Sequence, residues 1–443
     1  MTMLSGWGRY PVFTTDLVTP RSVNAAGVLT AASQGIVARG NGRAYGDAAI
    51  GIGKTLSMVA LNRMRAFDPT RGQVTVEAGV LLSDIIASFL PRGFFLKVVP
   101  GTRFVTVGGA IAADVHGKNH HRDGGFGNHV ESLLLATGGG ELLRASRDEN
   151  AEVFFATIGG MGLTGTILEA TLRLAPVETG WIRQRTVAAA DLTAALAIFE
   201  ASDDVTYSVA WIDCVAKGSN LGRSLVFLGE HARLDELDQS ARGQRFPIIR
   251  QPSLTVPCDF PGSVLNHFTV AAFNELYYRM GAHKAGDPFF VAADPYFFPL
   301  DGIGEWNRIY GRRGFVQHQC VLPTETAADA LTEMLDRITQ RGNASFLAVL
   351  KKLGLANGLM SFPMGGYTLA LDFAATPSLL DFLEELDAVV VHSGGRLYLA
   401  KDARQSRATF VAGYPAADRF RAIRRTLDPQ GRIRSHLAER LGL

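Results

Sequence analysis

Arg39-Gly40-Asn41-Gly42-Arg43-Ala44-Tyr45-Gly46-Asp47 is the stretch on which the reading of this chain turns. It follows the apolar run Ile36-Val37-Ala38, where a strand gives way to a turn. Glycines at this density let successive backbone amides approach an anion with no Cβ in the way, and amides in a tight turn form a concave cradle for a pyrophosphate. A second segment of the same character runs from Pro100-Gly101-Thr102-Arg103 through Thr106-Val107-Gly108-Gly109-Ala110 to His116-Gly117, and a third is Gly159-Gly160-Met161-Gly162-Leu163-Thr164-Gly165. Any one of them alone reads as a tight turn. Three within one unit suit a long, bent dinucleotide lying between them. A GxGxxG fingerprint in strand-turn-helix context is missing, which argues against a nicotinamide Rossmann fold. Gly53-Lys54-Thr55 looks like the end of a P-loop, but the glycine required five residues earlier is Ala48, which argues against an ATPase.

Working outward, 443 residues exceed what one hydrophobic core organises, so two domains of roughly 200 residues are expected, with the ligand site between them. From Ile36 to Thr171, short apolar strands alternate with glycine-rich turns and with helices such as Leu81 to Leu90, whose Leu82, Ile85, Ile86 and Phe89 share one face. Glycine density drops near Pro176. Strand-like segments then occur at Val205 to Ile212, Ser224 to Leu228, Gly314 to Leu322 and Tyr367 to Phe373. Thr376 before Pro377 predicts a helix start, Leu379, Leu383, Leu386 and Val390 its buried stripe, Gly394-Gly395 its end, and Arg396 to Ala400 a following edge strand. Gln251 to Leu300, rich in Pro, Gly and Phe with little periodicity, reads as long loops over the substrate entrance. The expected fold class is α+β. A first domain spans residues 1–178, a substrate domain on an antiparallel sheet with helices spans 179–395, and 396–443 return to the first domain.

Composition bounds the function. Apolar residues make up 47% and charged residues 19%, the profile of a globular enzyme, and a net charge of +2 gives no basic face for nucleic acid. Cys214, Cys258 and Cys320 show no paired spacing, so neither a disulfide framework nor a structural zinc is expected, and a reducing, cytoplasmic setting fits. Neither a signal peptide nor a spanning segment is visible.

His116-Gly117-Lys118-Asn119-His120-His121 crowds three imidazoles and an ammonium together, without a carboxylate at metal-ligand spacing. Beside the glycine segments, a flavin taking a hydride needs a positive neighbour, which Lys118 or His116 would supply. Removing hydride from a carbinol also needs a base, and a half-buried lysine such as Lys118 or Lys401 has a tunable pKa; a solvated surface lysine is the competing reading for Lys401. The closing run of Arg419, Arg421, Arg424, Arg425, Arg432, Arg434 and Arg440 reads as a solvated helix face, or as a rest on an anionic membrane if the substrate carries a lipid tail.

Arg43-Ala44-Tyr45-Gly46-Asp47, the run Val107 to His121, Gly304-Glu305-Trp306-Asn307-Arg308, Gln317-His318-Gln319 and Gly395-Arg396-Leu397-Tyr398 together resemble the vanillyl-alcohol-oxidase type of FAD-binding fold, and within it the decaprenylphosphoryl-β-D-ribose 2'-oxidase family, over nearly the whole chain. The resemblance implies a split FAD-binding domain that holds FAD noncovalently through Arg39, Gly40, Asn41, Gly42, Arg43, Ala44, Tyr45, Gly46, Gly101, Thr106, Val107, Gly108, Gly109, Ala113, His116, Asn119, Ile167 and Tyr398, although His116 lies where relatives in the wider fold attach theirs. It places Lys118, Trp211, Gln317, Gln319, Lys351 and Lys401 around a lipid-linked sugar phosphate whose ribose C2' is oxidised. It further implies an NAD(P)H-dependent short-chain reductase that completes an epimerisation, and peripheral contact with the inner membrane. Ala370, Thr368 and Phe297 depart from the family's cysteine, asparagine and tyrosine. The competing expectations are an aldonolactone or alditol oxidase of soluble sugars and, third, a flavin-storage protein without turnover.

Overall fold

The computed structural model describes residues 1–247, 254–261, 264, 266–342 and 345–443. Three main sheets, with a two-stranded one pairing Leu254–Thr255 and Ile303–Gly304, organise the described residues into an α+β fold. The first is small: Ile36–Arg39 and Val12–Val18 both run parallel to Lys54–Ser57, and Thr2–Ser5 pairs antiparallel at the edge. Lys54 lies inside this sheet and pairs with Asp16, so the P-loop-like tripeptide is strand. The second sheet, antiparallel, orders Met64–Asp68, Gln73–Glu77, Thr166–Pro176, Val130–Ala136 and Leu142–Ser146, with Phe94–Leu96 added along Thr166–Pro176. Helix Leu82–Phe89 packs Leu82, Ile85, Ile86 and Phe89 into the core beside it, the expected stripe.

The third sheet has eight antiparallel strands, in the order Phe289–Ala292, Trp181–Ala189, Ser224–His231, Tyr207–Ile212, Ala348–Leu353, Gly366–Ala374, Phe315–Pro323 and Arg396–Leu397. Helices Thr324–Arg341 and Pro377–His392 cover one face with an apolar layer. Thr376 caps the second of these by accepting from Leu379 N, and Gly394 follows it at φ +75°, both as the sequence predicts. The strand expected at Arg396 to Ala400 stops at Leu397, because the amides of Lys401 and Asp402 turn back onto Tyr398 O.

The loop reading of Gln251 to Leu300 is corrected where it falls on described residues; 251–253, 262, 263 and 265 lie outside them. His267–His283 is a helix of 17 residues, capped by Asn266 Oδ1, which accepts from the amides of Phe268 and Thr269. Its anchor is narrow: only Val270 and Asn274 are buried, and Asn274 donates to Asp213 Oδ1 at 2.7 Å. A helix held on so thin a stripe shows little amphipathic period in sequence.

The tail from Arg407 packs on the first unit. Ile36 N donates to Arg432 O and Arg434 N to Ile36 O, each at 2.9 Å, extending the first sheet onto the chain's end. Arg440 bridges the buried Asp47 and Asp402 at 2.8 and 2.9 Å, which pins the end of the first glycine segment. Arg419, Arg421, Arg424, Arg432 and Arg434 likewise bond to carboxylates or carbonyls of the protein. Arg419 and Arg432 thereby tie the tail to the first unit, and Arg421, Arg424 and Arg434 brace the tail internally.

Candidate active site

A deep cleft of about 280 Å³, partly open to solvent, lies between the three glycine segments and the uncovered face of the eight-stranded sheet. Its lining includes Gly40, Asn41, Gly42, Arg43, Ala44 and Tyr45 from the first segment, Gly101, Thr106, Gly108, Gly109, Ala113 and His116 from the second, and Met161, Gly162 and Gly165 from the third. The first two segments are locked together. Asn41 Nδ2 donates to Phe104 O at 2.8 Å, and a Cβ on Gly40 would stand 2.1 Å from Thr106 Oγ1, a space only glycine leaves open.

The segments differ in what their amides do. The amides of Val107, Gly108 and Gly109 bond to Val80 O, Ala78 O and Thr106 Oγ1, so they are satisfied within the protein. Among the described residues, the amides of Gly40 through Ala44 make no hydrogen bond to the protein. Free successive amides in a glycine turn at a cleft wall are the cradle a pyrophosphate requires.

The opposite wall follows from strand alternation. Gln317 and Gln319 on one strand, Thr368 and Ala370 on the next, and Leu347, Val349 and Lys351 on the third all face the cleft, since side chains two apart share a face. Gln319 Nε2 donates to His116 Nε2 at 3.0 Å and to Thr368 Oγ1 at 3.2 Å. An accepting Nε2 leaves the proton of His116 on Nδ1, which is buried with no partner among the described residues. Burial, with Lys351 nearby, lowers this imidazole's pKa well below its usual value, so the ring is neutral. Tyr398 closes the corner, donating to Ala113 O at 2.9 Å, and Ile167 adds to the apolar wall.

Two lysines line the cleft, each pushed down by burial, Lys351 to about 8 and Lys401 in the same direction; Lys118, outside the lining but near enough to feel the charge of Lys351, is pushed down to about 7. Lys401 Nζ stands 3.5 Å from the centre of the Tyr45 ring, a cation–π contact. The residue that sequence reasoning missed is Asp372. It is fully buried, on the same strand face as Thr368 and Ala370; Oδ1 accepts from Gln317 Nε2 and, among the described residues, Oδ2 has no partner. Burial raises its pKa while the attraction of Lys401 opposes that rise. An acid at every-second-residue spacing from two site positions, inside an otherwise apolar strand, is the signal that could have found it. Trp7, Asp301 and Trp306 also line the cleft without having been singled out as site residues.

Six expected site residues lie outside the lining. Arg39 turns away to Ser5 O at 2.7 Å, Val107 is core, and Gly46 packs against the Asp402 backbone. Asn119 donates to Lys97 O and Asp123 Oδ2, both at 2.8 Å. Lys118 donates to Tyr296 O and sits 4.1 Å over the Tyr296 ring. Trp211 packs its ring 4.9 Å from that of Tyr277. Of the departures from the family pattern, Thr368 and Ala370 line the cleft, whereas Phe297 stacks at 5.4 Å on Phe95 in the core.

Comparison with known proteins agrees with this geometry. Residues 19–146 match the family model described as FAD binding domain. The chain is 40% identical to the decaprenylphosphoryl-β-D-ribose oxidase of Mycolicibacterium smegmatis, over 99% of this chain and 97% of that protein. It is 34% identical to an uncharacterised protein of Streptomyces coelicolor over 82% of this chain and the whole of that one. Similarity to the L-gulonolactone oxidase of Bos taurus, 35% identical, is confined to 31% of each chain. The free amides of the first segment and the unpartnered His116 Nδ1 fit a flavin dinucleotide lying along the cleft. The protein is an FAD-dependent oxidoreductase, and it belongs to the decaprenylphosphoryl-β-D-ribose oxidase family.

Proposed function

We propose that this chain oxidises the C2' hydroxyl of a polyprenylphosphoryl-β-D-ribose to the 2'-keto sugar, the first half of an epimerisation to the arabinose form. One observation carries the reading: the Lys351, Gln317 and Gln319 side chains face the glycine segments across a single cleft, so an anionic sugar held on the sheet lies against the dinucleotide. FAD, when bound, supplies the acceptor for the two electrons that leave C2'. Lys351 draws the phosphodiester, and the paired glutamine amides orient the ribose. Burial favours the neutral amine of Lys401, whose Nζ takes the hydroxyl proton; Asp372 then stabilises the ammonium so formed. His116 presents its Nδ1 proton to the site, and Lys118, released from Tyr296 O, guards the sugar side. In this reading FAD is held noncovalently by 1–178 together with 396–443, and 179–395 hold the substrate. An NAD(P)H-dependent short-chain reductase takes the keto product, and the protein works on the cytoplasmic side, in peripheral contact with the inner membrane. The similarity to L-gulonolactone oxidase, limited to a third of each chain, gives the soluble-sugar alternative no comparable support.

The test is product trapping. Turnover of polyprenylphosphoryl ribose with an artificial electron acceptor, quenched with borodeuteride, places deuterium at C2' and yields both ribo and arabino epimers. Recovery of unlabelled ribose contradicts the proposal.

A further inference from the structure

Exposed apolar side chains are unevenly distributed over this surface. Among the described residues, nine of the twenty large exposed hydrophobics fall between Leu254 and Ile303, about a ninth of the chain. Isolated exposed apolar residues are ordinary, whereas a cluster marks a binding surface. On helix His267–His283 they form a stripe: Phe273, Leu276 and Met280 are 41, 60 and 54% exposed, while Phe268, 83% exposed, lies on the opposite flank. Positions three and four apart share a helix face, so the stripe flanks the buried Val270 and Asn274, while Glu275 and Arg279 pair on the other flank. Among the described residues, this apolar flank is uncovered.

The stripe is continuous with the cleft. Tyr277 packs on Trp211, which stands opposite Val349 in the sheet register, and Phe273 lies 5.1 Å from Phe346, the chain neighbour of Leu347. Val349 and Leu347 line the cleft. An apolar track therefore runs from Val349 beside Lys351 through Trp211 and Tyr277 onto the exposed stripe, which extends about 10 Å from Phe273 to Met280 at the helical rise.

We propose that this track seats the polyprenyl chain of the substrate as it leaves the cleft, with Phe273, Leu276 and Met280 in contact with its isoprene units. The inference rests on the function proposed above and deepens it. A phosphate held near Lys351 leaves the attached hydrocarbon to continue beyond the cleft, and the track through Trp211 leads it onto the stripe.

Leu276→Ser/Met280→Ser tests it, because both side chains are exposed and neither belongs to the catalytic cleft. FAD-loaded parent and variant are compared on ribosyl phosphates carrying a decaprenyl chain in detergent or a single isoprene unit. The expected result is a KM for the decaprenyl substrate raised about tenfold with kcat unchanged, and an unaltered KM for the single-isoprene substrate. Phe268→Ser removes an exposed ring from the opposite flank and serves as the control, with both KM values expected unchanged. Unchanged KM for both substrates in the double variant, or an equal rise in Phe268→Ser, overturns the inference while the proposed function stands. Turnover of neither substrate by the parent removes the function and this inference together. Sedimentation with vesicles of phosphatidylglycerol and phosphatidylethanolamine covers the remaining source: loss of vesicle binding in the variant, with unchanged KM in detergent, assigns the stripe to the bilayer and overturns the seat proposed here.

Discussion

Gly40→Ala is the substitution that most directly questions the locked glycine segments. The new methyl would stand 2.1 Å from Thr106 Oγ1 and 3.2 Å from its Cβ and Cγ2, against the 3.5–4.0 Å at which such atoms normally rest, so one segment must retreat by about 1 Å. Overpacking of this kind costs about 1–3 kcal/mol. If the retreat distorts the free amides of residues 40–44, the same energy appears as FAD affinity weakened about 5- to 100-fold. Thr106→Ala alone removes the cap on Gly109 N and costs about 1 kcal/mol by a separate route. In the double variant the hydroxyl that collides with the new methyl is gone, so the two losses do not add; the coupling expected for touching residues is about 0.5–3 kcal/mol, with the double variant binding FAD better than the sum predicts. FAD dissociation constants from fluorescence quenching on all four proteins measure this directly. Strict additivity, or an unchanged Kd in Gly40→Ala, refutes the argument that Gly40 exists to let the segments touch beside the cofactor.

Three further outcomes follow from the site and its supports. Asp372→Asn keeps an acceptor for Gln317 but removes the charge that favours protonated Lys401, so the acid limb of the kcat/KM profile moves to lower pH by about one unit; a merely structural Asp372 would lower thermal stability and leave the limb in place. Lys351, with its pKa near 8, is charged below that value and neutral above it, so KM for a phosphodiester substrate rises as pH passes 8, and Lys351→Met raises KM at pH 7 and abolishes that dependence. Arg440→Met strands the buried Asp47 and Asp402, and calorimetry is expected to show a loss of about 3 kcal/mol, the lower end for a broken buried pair because Arg440 is itself partly exposed.

Local rules carried much of the fold. The stripe of Leu82, Ile85, Ile86 and Phe89, the Thr376 cap with Pro377 behind it, and the central strands could be read because each is a short-range pattern that its tertiary surroundings reinforce. Helix His267–His283 escaped notice because its uncovered flank is as apolar as its anchored one, which erases the amphipathic period. At the site, the glycine segments announced a dinucleotide, but nothing local distinguishes the free amides of residues 40–44 from the satisfied ones of 107–109; that difference depends on Val80 and Ala78, brought in by another strand end. Lys118 and Asn119 stand in a sequence run rich in chemistry, yet their side chains bond to Tyr296 and to Lys97 and Asp123, partners that only the fold supplies. Asp372 is the converse: an inconspicuous acid in sequence that becomes part of the site through sheet register.

The most direct test of the central claim is an anaerobic absorbance spectrum of the FAD-loaded protein, recorded before and after adding polyprenylphosphoryl ribose, with a soluble pentitol as control. Bleaching of the flavin band by the lipid-linked ribose and not by the pentitol is the predicted result; bleaching by the pentitol, or by neither, contradicts it.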